Sequence, residues 1–230
     1  MSGDLAGRVA SIRERIAAAA RRAGRDPSEV RLMAITKTFP PSTVGEAMAA
    51  GLTLFGENRV AEAQAKFGGL EDACELHLVG HLQRNKAAVA AGLFSCVQSI
   101  DKPETAEALA RHCEALGRRM DVLIEYNTSG EATKSGVRDR DGLAACLAAV
   151  HRLPVLRLRG LMTVGPLGGG PPEVRRAFRL LRQLFEDVRA ERQPEGIDTL
   201  SMGMSGDFEV AVEEGATMVR LGTALFGDRP

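Results

Sequence analysis

The stretch "VRLMAITKTFPP", residues 30–41, sets the problem of the fold. From Val30 to Thr36 it is apolar apart from Arg31, the texture of a strand covered on both faces rather than one that alternates between core and water. The run then ends on Lys37, and Pro40 and Pro41 forbid a simple continuation of the strand. An ammonium delivered by a buried strand has three outlets. It reaches the rim, pairs with a carboxylate, or has its pKa lowered enough to act as an amine nucleophile.

Seven further runs share this texture: Leu52 to Gly56, Leu76 to Gly80, Phe94 to Ile100, Val122 to Asn127, Leu156 to Val164, Thr199 to Gly203 and Met218 to Gly222. Helical patterns separate them, among them residues 42–51, 59–68, 102–117, 140–152, 172–192 and 205–215. Eight alternations of strand and helix predict an α/β fold, a (β/α)8 barrel, with a doubly wound open sheet as the structural alternative. Ahead of the first strand, residues 4–24 place Leu5, Val9, Ile12 and Ile16 at helical spacing, with Asp4 as a cap and Gly24 as a stop. This predicts an extra N-terminal helix. No linker divides residues 1–230, so one domain is expected, and "GPLGGGPPE", 165–173, reads as a loop over the barrel mouth.

The 230 residues carry 30 basic and 30 acidic side chains, so bulk charge steers the chain to neither nucleic acid nor a membrane surface. A small ligand is expected. The four cysteines, Cys74, Cys96, Cys113 and Cys146, form no CxxC pair and read as reduced core thiols rather than zinc ligands. No signal peptide or bilayer-length apolar run is evident, and a cytoplasmic location is the expectation.

In a barrel, chemistry gathers where the strands end. The polar residues expected there are Lys37, Asn58, His81, Asn127, Met162 with Thr163, Ser201 to Ser205, and Gly222 with Thr223. Loops after the seventh and eighth strands commonly hold phosphate through backbone N–H groups, and "SMGMSGDFEVA" and "VRLGTALFG" put glycines and hydroxyls at those two corners. Arg220 lies inside the eighth strand, where a guanidinium cannot shed its charge; pairing with Glu213, Glu214 or another barrel acid is its structural explanation. A lysine, a phosphate cup and an inward arginine are also what a pyridoxal phosphate (PLP) site requires.

Six segments then carry a resemblance that runs over nearly the whole chain: "AITKTFPPSTVGEAMAAG", "FGENRVAEAQAK", "LHLVGHLQRNKA", "NTSGEATKSGV", "LRGLMTVG" and "LSMGMSGDFEVAVEEGATMVRLGTALFG". In this order they resemble the pyridoxal phosphate homeostasis protein family, also described as the proline synthase co-transcribed bacterial homologue family. The resemblance implies an alanine racemase N-terminal domain-like TIM barrel of PLP fold type III, without that enzyme's C-terminal β domain. It implies PLP held as a Schiff base on Lys37, with Ser201, Ser205, Gly222 and Thr223 around the phosphate. Arg220 would face the pyridine nitrogen, and Asn58, His81 and Met162 would line the ring. Arg59 and Leu76 depart from the family, which commonly has aromatic residues there.

An arginine at the ring nitrogen only donates hydrogen bonds, so it keeps that nitrogen unprotonated and weakens the electron sink that transaminases and decarboxylases need. Racemisation would further need an acid or base on each face. The chain has one tyrosine, Tyr126, expected in packing beside Asn127. His81 is expected to cap or bond locally, Arg84 to Lys86 to form a solvated face, Lys134 to sit on a surface loop, and Glu213 and Glu214 to be ordinary helix surface. The resulting expectation is a monomeric, cofactor-binding protein of vitamin B6 homeostasis. PLP-dependent apoenzymes are candidate partners, and a low-activity amino-acid racemase is the alternative.

Overall fold

The computed structural model describes residues 5–70, 73–191 and 196–228. Eight parallel strands follow one another around a closed barrel: β1 (Arg31–Ile35), β2 (Leu54–Glu57), β3 (Glu75–Leu78), β4 (Cys96–Ile100), β5 (Met120–Glu125), β6 (Leu156–Met162), β7 (Thr199–Ser201) and β8 (Met218–Leu221). Closure between β8 and β1 excludes the open sheet, and its register sets Met33 beside Arg220. Each of the eight runs read from the sequence holds a strand; β2, β3 and β5 reach past their runs, to Glu57, Glu75 and Met120, and the others are shortened at their ends, where the chain leaves the ladder.

Helices α2 (Pro41–Ala49), α3 (Val60–Phe67), α4 (Ala87–Leu93), α5 (Pro103–Ala115), α6 (Arg140–His151), α7 (Pro171–Glu191) and α8 (Phe208–Glu213) follow the strands in turn, and a four-residue α9 (Thr223–Phe226) follows β8. Pro41 begins α2, where its missing N–H costs nothing. Helix α1 (Leu5–Arg22) lies outside the barrel against α8 and α9, with Arg15 paired to Glu209 at 3.1 Å and Arg22 to Glu213 at 2.8 Å. Gly24 follows it at φ +68°. Asp4, the expected cap, lies outside the described residues, as does Arg192, the expected end of α7.

Burial divides into shells. One large cluster joins the outward strand faces to the helices, including Phe55, Leu78, Val97, Ile124, Phe178 and Val219. Leu76, a departure from the resembled family's pattern, is buried in this same cluster, while Arg59, the other, is exposed and immediately precedes α3. Helix α7 contributes Phe178, Leu181 and Leu184 to it, each fully buried large side chain supplying about 1.5–3 kcal/mol. Two small clusters lie apart from that shell: Met33, Ile35, Leu54 and Met218 with Val79, and Cys96, Leu123 and Met162 with Val164. They fill the inside of the barrel, so it is a packed core rather than a pore. The cysteines are free thiols, three buried and Cys74 half-buried. No helix among the described residues is long and apolar enough to cross a membrane.

Candidate functional site

Where β1 ends, the backbone is held on both sides of Lys37. Thr36 is fully buried and its hydroxyl donates to Glu57 Oε1 at 2.6 Å; its carbonyl accepts from Lys66 Nζ at 2.5 Å. Thr38 takes a left-handed φ of +69°, strained for a β-branched residue, and its N–H donates to the Glu62 carboxylate. Lys66 bridges the two acids, 3.0 Å from Glu57 and 2.7 Å from Glu62. A buried Glu57–Lys66–Glu62 network behind the barrel wall thus fixes the turn from which Lys37 projects. Desolvation pushes the Glu57 carboxyl up, which Thr36 and Lys66 partly offset. None of these three residues was singled out from the sequence, although all lie in "GENRVAEAQAK".

Lys37 opens onto a cavity of about 350 Å³ at the C-terminal mouth, shared with Asn58, Ser205, Gly206, Arg220, Gly222 and Thr223, and walled by Ile35, Phe39, Val79 and Val164. Phe39 packs on Phe226 of α9 at 5.2 Å between ring centroids, tying the Lys37 turn to the β8 corner. Asn58 holds its place because Gly80 lets the neighbouring chain approach: a Cβ at Gly80 would lie 2.2 Å from the Asn58 carbonyl oxygen. At the β7 corner, Gly203 has φ +94°, and a Cβ there would meet Ala211 Cβ at 2.5 Å. The Ser205 hydroxyl accepts from Ala224 N–H at 3.1 Å, linking the two glycine-rich corners. Among the described residues the N–H groups of Ser205 and Gly206 have no acceptor, so they remain available to an anion.

Arg220 is buried, and its guanidinium donates from NH1 to Ser201 Oγ and from NH2 to the Thr163 carbonyl, both at 2.7 Å. Burial lowers its pKa to about 10, still a cation at neutral pH, with Glu125 and Asp207 opposing the shift. It is not paired with Glu213 or Glu214. Those two bind Arg175 and Arg179 of α7, and Glu214 is buried, so they are not ordinary helix surface. Cofactor-sized space, a lysine and a cation with unused N–H capacity therefore meet in one cavity.

Three other residues expected at the site lie elsewhere. Ser201 sits beneath Arg220 rather than at the glycine corners. Met162 is buried in the inner cluster with Cys96 and Leu123. His81 is exposed, with Nδ1 3.5 Å from Asp101, and lines an adjoining cavity of about 270 Å³ that shares Asn58, Val79 and Val164 with the first. Lys134 lines that second cavity too, half-buried and bonded to the Gly165 carbonyl at 2.6 Å and Glu131 at 2.7 Å, so it is not a free surface lysine. It thereby fastens the 165–173 loop to the one that follows β5. Arg84, Asn85 and Lys86 are exposed, as read from the sequence.

Glu125, unremarked in the sequence, also lines the second cavity. It is 93% buried by its 7% exposure, and its carboxylate makes no hydrogen bond or ion pair among the described residues. Desolvation first, then the charge of Asp101, pushes its pKa up to about 7, with Arg220 opposing. Tyr126 turns to the outer core, its hydroxyl 3.4 Å from the Arg138 carbonyl. No cluster of His, Cys, Asp or Glu among the described residues could hold a metal ion.

A closed parallel barrel with a lysine after β1 and an arginine on β8 defines a class, and the comparisons define the family. The alanine racemase N-terminal domain family matches residues 8–230. The chain is 44% identical over 226 residues to the pyridoxal phosphate homeostasis protein of Pseudomonas aeruginosa, covering 98% of this chain and 96% of that one. Among solved structures, the PipY protein of Synechococcus elongatus PCC7942 with PLP bound aligns with a TM-score of 0.82 at 37% identity, over 97% of this chain and 100% of that one. A crystal structure described as that of an unknown protein from Bifidobacterium adolescentis aligns with a TM-score of 0.89 at 37% identity, over 96% of this chain and 94% of that one. The chain belongs to the alanine racemase N-terminal domain family and, within it, to the pyridoxal phosphate homeostasis proteins.

Proposed function

We propose that this protein binds PLP in the cavity between Lys37 and Arg220 and serves vitamin B6 homeostasis in the cytoplasm as a single-domain monomer, with PLP-dependent apoenzymes as recipients. The observation that carries the reading is the convergence of Lys37, Arg220 and the Ser205, Gly206, Gly222 and Thr223 corner on one cavity of about 350 Å³. Relatives named for PLP homeostasis, and PipY with PLP bound, support it.

The residues divide the work. Lys37 supplies the amine for covalent attachment, from a turn that the Lys66 network keeps in place. The free N–H groups of Ser205 and Gly206, with the Thr223 hydroxyl beside them, receive the phosphate. Arg220 donates to the pyridine nitrogen and cannot accept from it, which holds that nitrogen unprotonated. PLP bound there supplies a reactive aldehyde carbon, and the arginine limits the carbanion chemistry that usually follows. Asn58 flanks the ring, while His81 stands in the adjoining cavity and Met162 stays in the inner packing.

A second reading, a slow amino-acid racemase, draws on Glu125, a group protonatable near neutral pH in the adjoining cavity. Adding PLP to the apoprotein is expected to produce a visible absorbance band, lost in Lys37→Ala. A protein that stays colourless and takes up no cofactor contradicts the binding reading. Turnover of single amino-acid enantiomers well above free PLP, abolished in Glu125→Gln, would favour the second.

A further inference from the structure

A line of buried polar side chains crosses the inside of the barrel from the candidate site to the opposite mouth. Arg220 NH1 lies 2.7 Å from Ser201 Oγ; Ser201 Oγ lies 2.7 Å from Gln98 Oε1; Gln98 Nε2 lies 2.8 Å from His77 Nδ1; His77 Nε2 lies 2.7 Å from Glu75 Oε1. Gln98 and Ser201 have no solvent exposure, and His77 and Arg220 have 4% and 5%. Apolar neighbours are what a barrel interior ordinarily supplies at such positions, and Met33, Leu123 and Met218 supply them here.

The direction of every bond follows from its upper end. A guanidinium only donates, so Ser201 accepts from Arg220 and its own hydrogen goes on to Gln98 Oε1. The Gln98 amide nitrogen must then face His77, whose Nδ1 accepts, so the imidazole is neutral with its hydrogen on Nε2, donated to Glu75. Burial favours that neutral form. A reversed hydrogen at the Ser201–Gln98 or Gln98–His77 link leaves two donors or two acceptors facing each other among buried groups.

We propose that Gln98 and His77 are positioning residues for Arg220, fixing through Ser201 the plane in which its guanidinium meets the cofactor. Arg220 has two rigid attachments, Ser201 and the Thr163 carbonyl, and Ser201 is itself oriented only by Gln98. The inference rests on the PLP reading for its consequence and on the apoprotein for its geometry.

The test compares Gln98→Leu, Gln98→Glu and Gln98→His. In the wild-type apoprotein, nitrogen NMR is expected to place the His77 hydrogen on Nε2 and to resolve the Arg220 Nη signals of a restrained guanidinium. Gln98→Leu removes the link, and those signals are expected to coalesce while PLP affinity falls about tenfold, with Lys37 still labelled. Gln98→Glu offers only acceptors, so His77 should gain a hydrogen on Nδ1 while keeping the one on Nε2 that Glu75 accepts. Histidine at 98 again supplies one donor and one acceptor, and should restore affinity to within about twofold of wild type while reporting a folded barrel. A wild-type His77 hydrogen on Nδ1, or Arg220 signals and affinity unmoved in Gln98→Leu, would overturn the proposal. A wild-type protein that takes up no PLP would instead defeat the functional reading, and the NMR arms would still decide the relay.

Discussion

Glu75 and Glu125 stand at opposite mouths of one barrel, and their surroundings treat them oppositely. At the N-terminal mouth Glu75 accepts from His77 and from Arg31, which holds its pKa at about 2, and around it Arg157 pairs with Asp121 and Arg159 with Asp198. At the C-terminal mouth Glu125 has no such partner and is pushed up to about 7, while Arg220 spends its bonds on neutral oxygens. Charges at the first mouth neutralise one another and leave little to recognise. Those at the second keep capacity that a ligand can use, which is why a functional site is assigned there although both mouths are concave and charged.

Removing one arginine from each mouth breaks the comparison most directly. Arg220→Met strands the Ser201 hydroxyl and Thr163 carbonyl and would take away the donor proposed for the pyridine nitrogen. A loss of about 2–3 kcal/mol in PLP binding is expected, roughly 30- to 150-fold in the dissociation constant measured by absorbance titration. Arg159→Met, in a partly exposed pair, should leave that constant within about twofold.

The two glutamates should give opposite responses to pH. Glu125 is raised in the folded state, so the wild type loses stability as pH climbs from the unfolded value near 4.5 through about 7. Glu125→Gln is therefore expected to be more stable at pH 8, by up to about 3 kcal/mol, and no more stable below pH 4. Thermal melts at the two pH values decide it. Glu62→Ala comes next: freeing the strained Thr38 turn should lower stability by about 1–2 kcal/mol and weaken PLP uptake at Lys37. Smallest is Glu75→Gln. Glu75 is depressed, so its contribution exists above about pH 4.5 and fades toward pH 2; its side chain is 38% exposed, which limits the expected loss to under about 1 kcal/mol.

The barrel was legible because parallel strands buried on both faces read as short apolar runs, each followed by a helical pattern. Lys37 and Arg220 stood out for the same reason, as charges on apolar strands. Helix α9, four residues long, carries too little periodicity to be seen. Glu125 gives the same kind of signal as Lys37, an acid closing the run "VLIE", but the apolar run reads on to Asn127 and hides it, whereas β5 ends at Glu125. Gln98 and Ser201 could not be joined from sequence, since the bond between them spans 103 positions and exists only after closure. Likewise the Glu57–Lys66–Glu62 network joins a strand end to a helix through Thr36 and Thr38, and its purpose shows only where the Lys37 turn is strained. The resemblance implied Ser201 at the phosphate; the pleat instead points it at Arg220.

The central claim is that Lys37 is the residue that holds PLP. Incubating the apoprotein with PLP, reducing with borohydride and mapping the modified peptide by mass spectrometry tests it. A single phosphopyridoxyl group on Lys37, in near-stoichiometric yield, is the expected result; modification at Lys134 or elsewhere with Lys37 untouched would contradict it.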